Sequence, residues 1–237
     1  MNIRIFGKTI HYTTQGAGKP LLLVHGWGGS GESLKTLADL ASKKYQTILL
    51  DLPGFGKSDP PNPEWGIGGY AKVVAEFLKK LNLTKINYFG HSFGGTIGIY
   101  LAAKHPELFD ALVISAAPFK RNKKVIRSFR SIRAFTPNWM RLLFYRVFFP
   151  DSDLPKFPHL EKNFRRIVRQ NLRSSAKKIS IPTLILWGED DTYVPVTFAT
   201  DLNKLIKNSR LKIFPGVRHG LPLYHPELVY GEIEKFL

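Results

Sequence analysis

Two hydrophobic periods alternate along this chain. Short, largely apolar stretches of four or five residues occur at Pro20-Leu21-Leu22-Leu23-Val24, Thr47-Ile48-Leu49-Leu50, Ile86 to Phe89, Ala111 to Ser115, Thr183 to Trp187 and Leu211 to Phe214, the first of them without a polar residue. Such runs suit strands buried on both faces. Between them the spacing becomes helical. Tyr70 to Leu81 places apolar residues at 70, 73, 74, 77, 78 and 81, and Ser33 to Ala41, Phe93 to Lys104, Val196 to Ile206 and Pro226 to Phe236 also read as helices. At the start, Asn2 to Phe6 and Thr9 to Thr14 flank Gly7-Lys8 as a hairpin. Strands alternating with helices predict an α/β fold, a mostly parallel sheet with helices on both faces. The region from about Pro118 to Ser180 breaks the alternation. Its period is mostly helical, prolines cut it into short pieces, and it reads as an insertion after the sixth main strand.

The chemistry gathers where strands end. Asn87-Tyr88-Phe89-Gly90-His91-Ser92-Phe93-Gly94-Gly95 reads as strand, Gly-x-Ser-x-Gly turn and helix, the form of a nucleophile elbow. Such a turn holds Ser92 in a strained backbone and presses Gly90 and Gly94 against neighbouring backbone. Read alone, the same glycines also fit an ordinary strand-to-helix turn. A serine hydroxyl needs a base, and the base needs an orienting group. In open α/β sheets such groups collect at the carboxyl ends of strands. The strand Thr183 to Trp187 is followed by Glu189, Asp190 and Asp191, and the strand Leu211 to Phe214 by His219.

Composition narrows the field. A chain of 237 residues, 43% hydrophobic, fits one domain with an insert. There is no cysteine, which excludes disulfides and thiol catalysis and fits a reducing, cytoplasmic location. No signal peptide is evident at the start, and no run approaches the roughly 18 apolar residues of a membrane span. No histidine or acid cluster has metal-ligand spacing and no Gly-x-Gly-x-x-Gly occurs, so neither metal nor cofactor is expected. The net charge of +17 is concentrated. Seventeen basic residues lie between Lys120 and Lys178 against three acids, Asp151, Asp153 and Glu161. That segment favours an acidic or anionic partner. Without a base-stacking motif, nucleic acid is not the expected one, although a nucleic-acid-binding protein on a hydrolase scaffold is the rival from another class.

Taken with the His25-Gly26-Trp27-Gly28-Gly29 loop, the Asp51 to Asp59 loop, the Ser92 elbow, Gly188-x-x-Asp191-x-x-x-Pro195, and His219 with His225-Pro226-Glu227 beyond it, the chain resembles the α/β-hydrolase fold superfamily over nearly its whole length. The resemblance implies a Ser92-Asp191-His219 triad, with Asp191 chosen over Asp190 and His219 over His225. It implies an oxyanion hole from the backbone N–H groups of Trp27 and Phe93. It makes residues 1–117 and 181–237 the hydrolase core and residues 118–180 a cap over the site. Trp27, Phe144 and Phe148 are then candidate substrate-binding residues. Arg218 departs from the pattern, since relatives usually carry glycine before the histidine. A small basic cap and the His-Gly-Trp-Gly loop are also similar to the pimeloyl-carrier-protein methyl ester esterases. The function implied is hydrolysis of a carboxylic ester or related acyl bond of a small-molecule substrate, with an acidic carrier protein or an anionic surface docking at the cap. A carbon–carbon bond hydrolase of ring-cleavage products would use the same triad. His25 and His91 read as structural, His225 as a helix-start residue, His11, His105 and His159 as solvated or capping, Asp190 as a surface acid and Asp51 as a cap for its loop.

Overall fold

A computed structural model of the chain describes residues 1–120 and 156–237. Among the described residues, eight strands form one sheet: β1 (Asn2–Ile5), β2 (Lys8–Gln15), β3 (Lys19–Val24), β4 (Tyr45–Leu50), β5 (Ile86–His91), β6 (Phe109–Ser115), β7 (Thr183–Gly188) and β8 (Ser209–Phe214). Their spatial order is β1-β2-β4-β3-β5-β6-β7-β8. The first two pairings are antiparallel and every other pairing is parallel. This is the open, mostly parallel sheet that the alternating pattern predicts.

The strands are largely apolar because successive side chains enter different cores. Leu22 and Val24 of β3, Tyr88 of β5, Ile114 of β6 and Ile185 of β7 face one layer. Leu21, Leu23, Phe89, Val113, Leu184 and Leu186 face the other. The first layer is completed by α2 (Ile67–Lys80), α3 (Phe93–Ala102) and α6 (Thr197–Leu205). The second is completed by α1 (Lys35–Ala41) and α8 (Pro226–Phe236). Each fully buried Leu or Ile contributes about 2 kcal/mol, so strands with two apolar faces anchor the sheet.

The helix predicted from Tyr70 begins at Ile67, where the Gln170 side chain accepts a hydrogen bond from the Ile67 amide at 2.7 Å. That partner lies 103 residues away, beyond the reach of local periodicity. A short helix α7 (Leu221–Tyr224), which the apolar spacing does not predict, precedes α8; His225 ends one and begins the other.

Between β6 and β7 the described residues contain α4 (Glu161–Arg169) and α5 (Arg173–Ala176). Asn163 is buried and its amide donates to the carbonyls of Asn62 and Trp65 at 2.8 and 2.9 Å. Leu160 and Ile167 join the first core, and Phe164 packs against Trp27 with ring centroids 5.1 Å apart. The apolar side of α4 is thereby fixed to the loops beside the strand ends. Its basic residues include Arg165, which pairs with Glu161, and Arg166, which pairs with Glu64. Phe144 and Phe148 lie outside the described residues.

Candidate active site

Ser92 follows β5 directly and adopts φ 50°, ψ −111°. A β-carbon on Gly90 would come within 2.6 Å of the Gly94 backbone, and one on Gly94 within 2.2 Å of the Val24 carbonyl oxygen. No real side chain tolerates such contacts. The two glycines therefore permit a turn that closes within a few residues and leaves the serine in left-handed backbone space. The Ser92 amide is tied to the Ser115 carbonyl at 2.7 Å, and the Gly94 amide to the His25 carbonyl at 3.1 Å. Bonds to both neighbouring strand ends thus hold the elbow in place.

On one side of the elbow stand the acid and the histidine. The Asp191 carboxylate is buried, and its Oδ1 accepts the amides of Tyr193 and Val194 at 2.9 and 2.8 Å. Its Oδ2 faces Nδ1 of His219 at 2.7 Å. Nε2 of His219 lies 3.1 Å from the Ser92 hydroxyl oxygen. Asp190 is exposed, and its amide donates to the Val217 carbonyl. The structure therefore brings Ser92, His219 and Asp191 together and leaves Asp190 and His225 outside that contact. Gly188 makes the approach of the two loops possible, since a β-carbon there would meet the Val217 and Arg218 carbonyl oxygens at 2.2 and 2.6 Å. Arg218 is exposed, and its side chain does not displace the histidine next to it.

On the other side lies the loop after β3. Trp27 packs its indole edge-on against Phe55 and Phe93, at 5.0 and 5.6 Å between centroids. Among the described residues, neither the Trp27 nor the Phe93 amide donates a hydrogen bond to another backbone group.

Several contributors are not legible from sequence. His11, expected to be solvated or capping, is half-buried with Nδ1 3.0 Å from Oδ2 of Asp51. Trp187 donates from its indole to the Val194 carbonyl at 2.8 Å and so pins the acid loop. The rings of His91 and Tyr193 both lie against His219, at 5.0 and 5.2 Å between centroids. Burial, with the neighbouring His219, pushes the His91 imidazole well below the usual histidine range. His25 is fully buried, and burial lowers its pKa to about 4. Both rings are therefore neutral near pH 7, which suits filling and orienting roles. The only signal for them in the sequence is their position inside the two motifs.

A model of the α/β-hydrolase fold matches residues 19–166, more than half of the chain. The chain belongs to the α/β-hydrolase fold family. This α/β hydrolase is 26% identical, over 93% of its length and 84% of the relative's, to the 2-hydroxy-6-oxo-6-(2'-aminophenyl)hexa-2,4-dienoic acid hydrolase of Metapseudomonas resinovorans. It is 25% identical to the pimeloyl-[acyl-carrier protein] methyl ester esterase of Aliivibrio fischeri, covering 96% of this chain and 97% of that one. Among solved structures it superposes with a TM-score of 0.83 on Est816, described as an N-acyl homoserine lactone degrading enzyme, at 20% identity and with both chains fully covered. Among the described residues, no helix is long and apolar enough to cross a membrane.

Proposed function

We propose that this α/β hydrolase is a serine esterase that cleaves a carboxylic ester through an acyl-enzyme intermediate. The observation that carries the reading is the continuous contact from Asp191 Oδ2 to His219 Nδ1 at 2.7 Å and from His219 Nε2 to Ser92 Oγ at 3.1 Å. Both spans are hydrogen-bond distances for a base and its orienting group. Ser92 Oγ attacks the ester carbonyl and its proton passes to Nε2 of His219. Asp191 holds the Nδ1 proton and offsets the charge on the imidazolium. The carbonyl electrons move onto oxygen, where the Trp27 and Phe93 amides donate to the oxyanion. Collapse expels the alcohol, which takes the proton from His219. Water, deprotonated by the same imidazole, then releases the acid and restores Ser92.

Residues 118–180 serve as the cap in this reading, and Trp27, Phe144 and Phe148 contact the substrate. The Phe164 contact on Trp27 supports a cap that reaches the oxyanion loop. A cytoplasmic location fits a chain without cysteine. The test is labelling with a fluorophosphonate probe followed by a panel of p-nitrophenyl esters of rising chain length. Labelling of the wild type and not of Ser92→Ala is expected; an unlabelled wild type with no ester turnover overturns the reading.

The likeness to the Metapseudomonas resinovorans hydrolase favours one second reading, hydrolysis of a carbon–carbon bond in a ring-cleavage product. Faster turnover of a vinylogous diketone than of any simple ester would favour it. The concentrated charge and the similarity to the Aliivibrio fischeri esterase support docking of an acidic carrier, or of an anionic surface, at the cap. For a carrier-bound ester, kcat/KM would then fall steeply as salt is raised, because steering between exposed charges is screened.

A further inference from the structure

Acyl transfer through Ser92 requires two backbone N–H groups to point at one oxygen. Phe93 is fixed by the elbow. Trp27 sits in a glycine-rich turn that one internal bond closes, from the Gly29 amide to the Gly26 carbonyl at 3.2 Å. Bonds from outside the turn set where it lies on the rim. Two buried polar side chains supply them from opposite ends. His25 donates from Nδ1 to the Gly26 carbonyl at 2.6 Å and accepts the Leu52 amide on Nε2 at 3.1 Å. Asp51 Oδ1 accepts the Gly31 amide at 2.7 Å. The Trp27 N–H lies between these anchors along the chain.

The Asp51 carboxylate joins this loop to the rest of the rim. It stands immediately after β4 and is 5% exposed. Its Oδ2 accepts the Lys57 amide at 2.9 Å and faces His11 Nδ1 at 3.0 Å. The Ser58 hydroxyl donates to the Asp51 carbonyl at 2.7 Å, and the Asp51 amide donates to the His11 carbonyl at 3.0 Å. Four segments therefore meet at one residue: β2, the strand end of β4, the 51–59 loop and the loop bearing Trp27. Gly56 lies so close that a β-carbon there would be 2.2 Å from Oδ2. The 51–59 loop also supplies Phe55, whose ring abuts both Trp27 and His25. A plain loop cap would need only the Lys57 amide. The bond to Gly31 reaches the first amide of the Gly31–Leu34 3-10 helix, and so ties the end of β4 to the chain that follows the Trp27 turn.

We propose that Asp51 is a positioning residue for the reaction: through the Gly31 amide it sets the direction of the Trp27 N–H toward the oxyanion. The inference rests on the serine-esterase reading. Charge-assisted bonds from a buried carboxylate are about twice as strong as neutral ones, which suits a clamp that must not shift as charge develops. Loss of a whole oxyanion donor costs about 10²–10³ in kcat, so a misdirected donor costs a fraction of that.

The test uses Asp51→Asn and Asp51→Ala in the full chain, with p-nitrophenyl ester kinetics, thermal melting, and affinity for an alkyl trifluoromethyl ketone. That ketone adds to the serine and places an oxyanion where the ester's would form. Asp51→Asn keeps an acceptor for Gly31, so it should lower kcat about tenfold, and Asp51→Ala about a hundredfold, with KM held within about twofold. Ketone affinity should fall by the same factors. The inference is overturned if Asp51→Asn melts at a lower temperature but keeps kcat and ketone affinity within about twofold, or if KM alone rises. If Asp51→Ala does not fold, Asp51→Asn still decides. A wild type that turns over no ester and binds no ketone removes the parent reading, and this inference with it. A wild type that does both leaves the variants to report on Asp51 alone.

Discussion

The two sides of the Ser92 elbow are built on different principles. Toward β7 and β8 the proposed working groups are side chains: a carboxylate and an imidazole in line with a hydroxyl, at 2.7 and 3.1 Å. Toward β3 and β4 the proposed working groups are backbone N–H donors, and the His25 and Asp51 side chains hold the backbone in place. The two histidines of the rim show the contrast. His219 keeps one-fifth of its side chain exposed and faces a carboxylate. His25 is fully buried, spans two backbone groups and stays neutral down to about pH 4. A group that must exchange protons needs access and a charged partner. A group that must only fix geometry is better sealed and uncharged.

The largest expected effects lie on the side-chain half. Ser92→Ala should lower kcat by at least about 10⁴, because the attacking atom is gone. Asp191→Asn should lower it by about 10³–10⁴, since an amide cannot hold the imidazole in the working tautomer. Asp190→Asn, one residue away and exposed, should leave kcat/KM within about twofold. Ester kinetics on the three variants check this. Equal losses at 190 and 191 would break the assignment of the acid and with it the contrast between the two sides.

A step below stands Gly188→Ala. Its β-carbon would collide with the Val217 and Arg218 carbonyls, so the histidine loop must retreat from the acid loop. A displacement of about 1 Å in a reacting group costs about 10²-fold, and a loss of that order in kcat is expected. Full activity with an unshifted His219 would mean that the loop has slack the packed backbone does not suggest.

Much of this is legible in the amino-acid sequence, and the unequal legibility follows the same division. The strands at 20–24, 47–50 and 183–187 are readable because burial on both faces leaves few polar positions. Ser92 and His219 are readable because each is a chemically distinctive side chain after a strand, whereas only the resemblance to the α/β hydrolases separates Asp191 from Glu189 and Asp190. The Asp51 bond to Gly31 is not, because one partner is a backbone amide and any residue but proline offers one. The start of α2 at Ile67 depends on Gln170, and the pinning of the acid loop depends on the Trp187 indole meeting the Val194 carbonyl. Tertiary hydrogen bonds to backbone leave no period in the sequence. Phe144 and Phe148, expected on the substrate, fall outside the described residues.

The sealed histidine predicts a pH dependence of stability rather than of rate. An unfolded His25 takes up its proton near pH 6.5, the buried one only near 4. Between those values the unfolded chain binds more protons, so stability falls as the pH falls and is recovered above about 6.5. His91, depressed by burial and by His219, adds a slope of the same sign. At about pH 4.5 relative to about pH 7, wild type should lose about 2 kcal/mol more than His25→Gln, which keeps an acceptor and a donor but does not titrate. Urea unfolding at the two pH values measures the difference. Parallel losses would mean that His25 is not sealed as the hydrogen bonds to Gly26 and Leu52 imply.

The smallest effect is expected at the residue that departs from the family pattern. Arg218 precedes His219, yet what the site uses of it is its backbone, whose carbonyl lies against Gly188. Its guanidinium is exposed, and an exposed charge beside water exerts little force on its neighbours. Arg218→Gly should therefore change kcat/KM for a neutral ester by less than about twofold. It should lower stability by about 0.5–1 kcal/mol, because the unfolded chain gains freedom at a position where the folded one keeps the same path. Kinetics and melting on this one variant separate the two effects. A gain in kcat of about tenfold would show that the cation restrains the histidine loop. It would place the side-chain half of the rim under the same kind of backbone control as the half that carries Trp27.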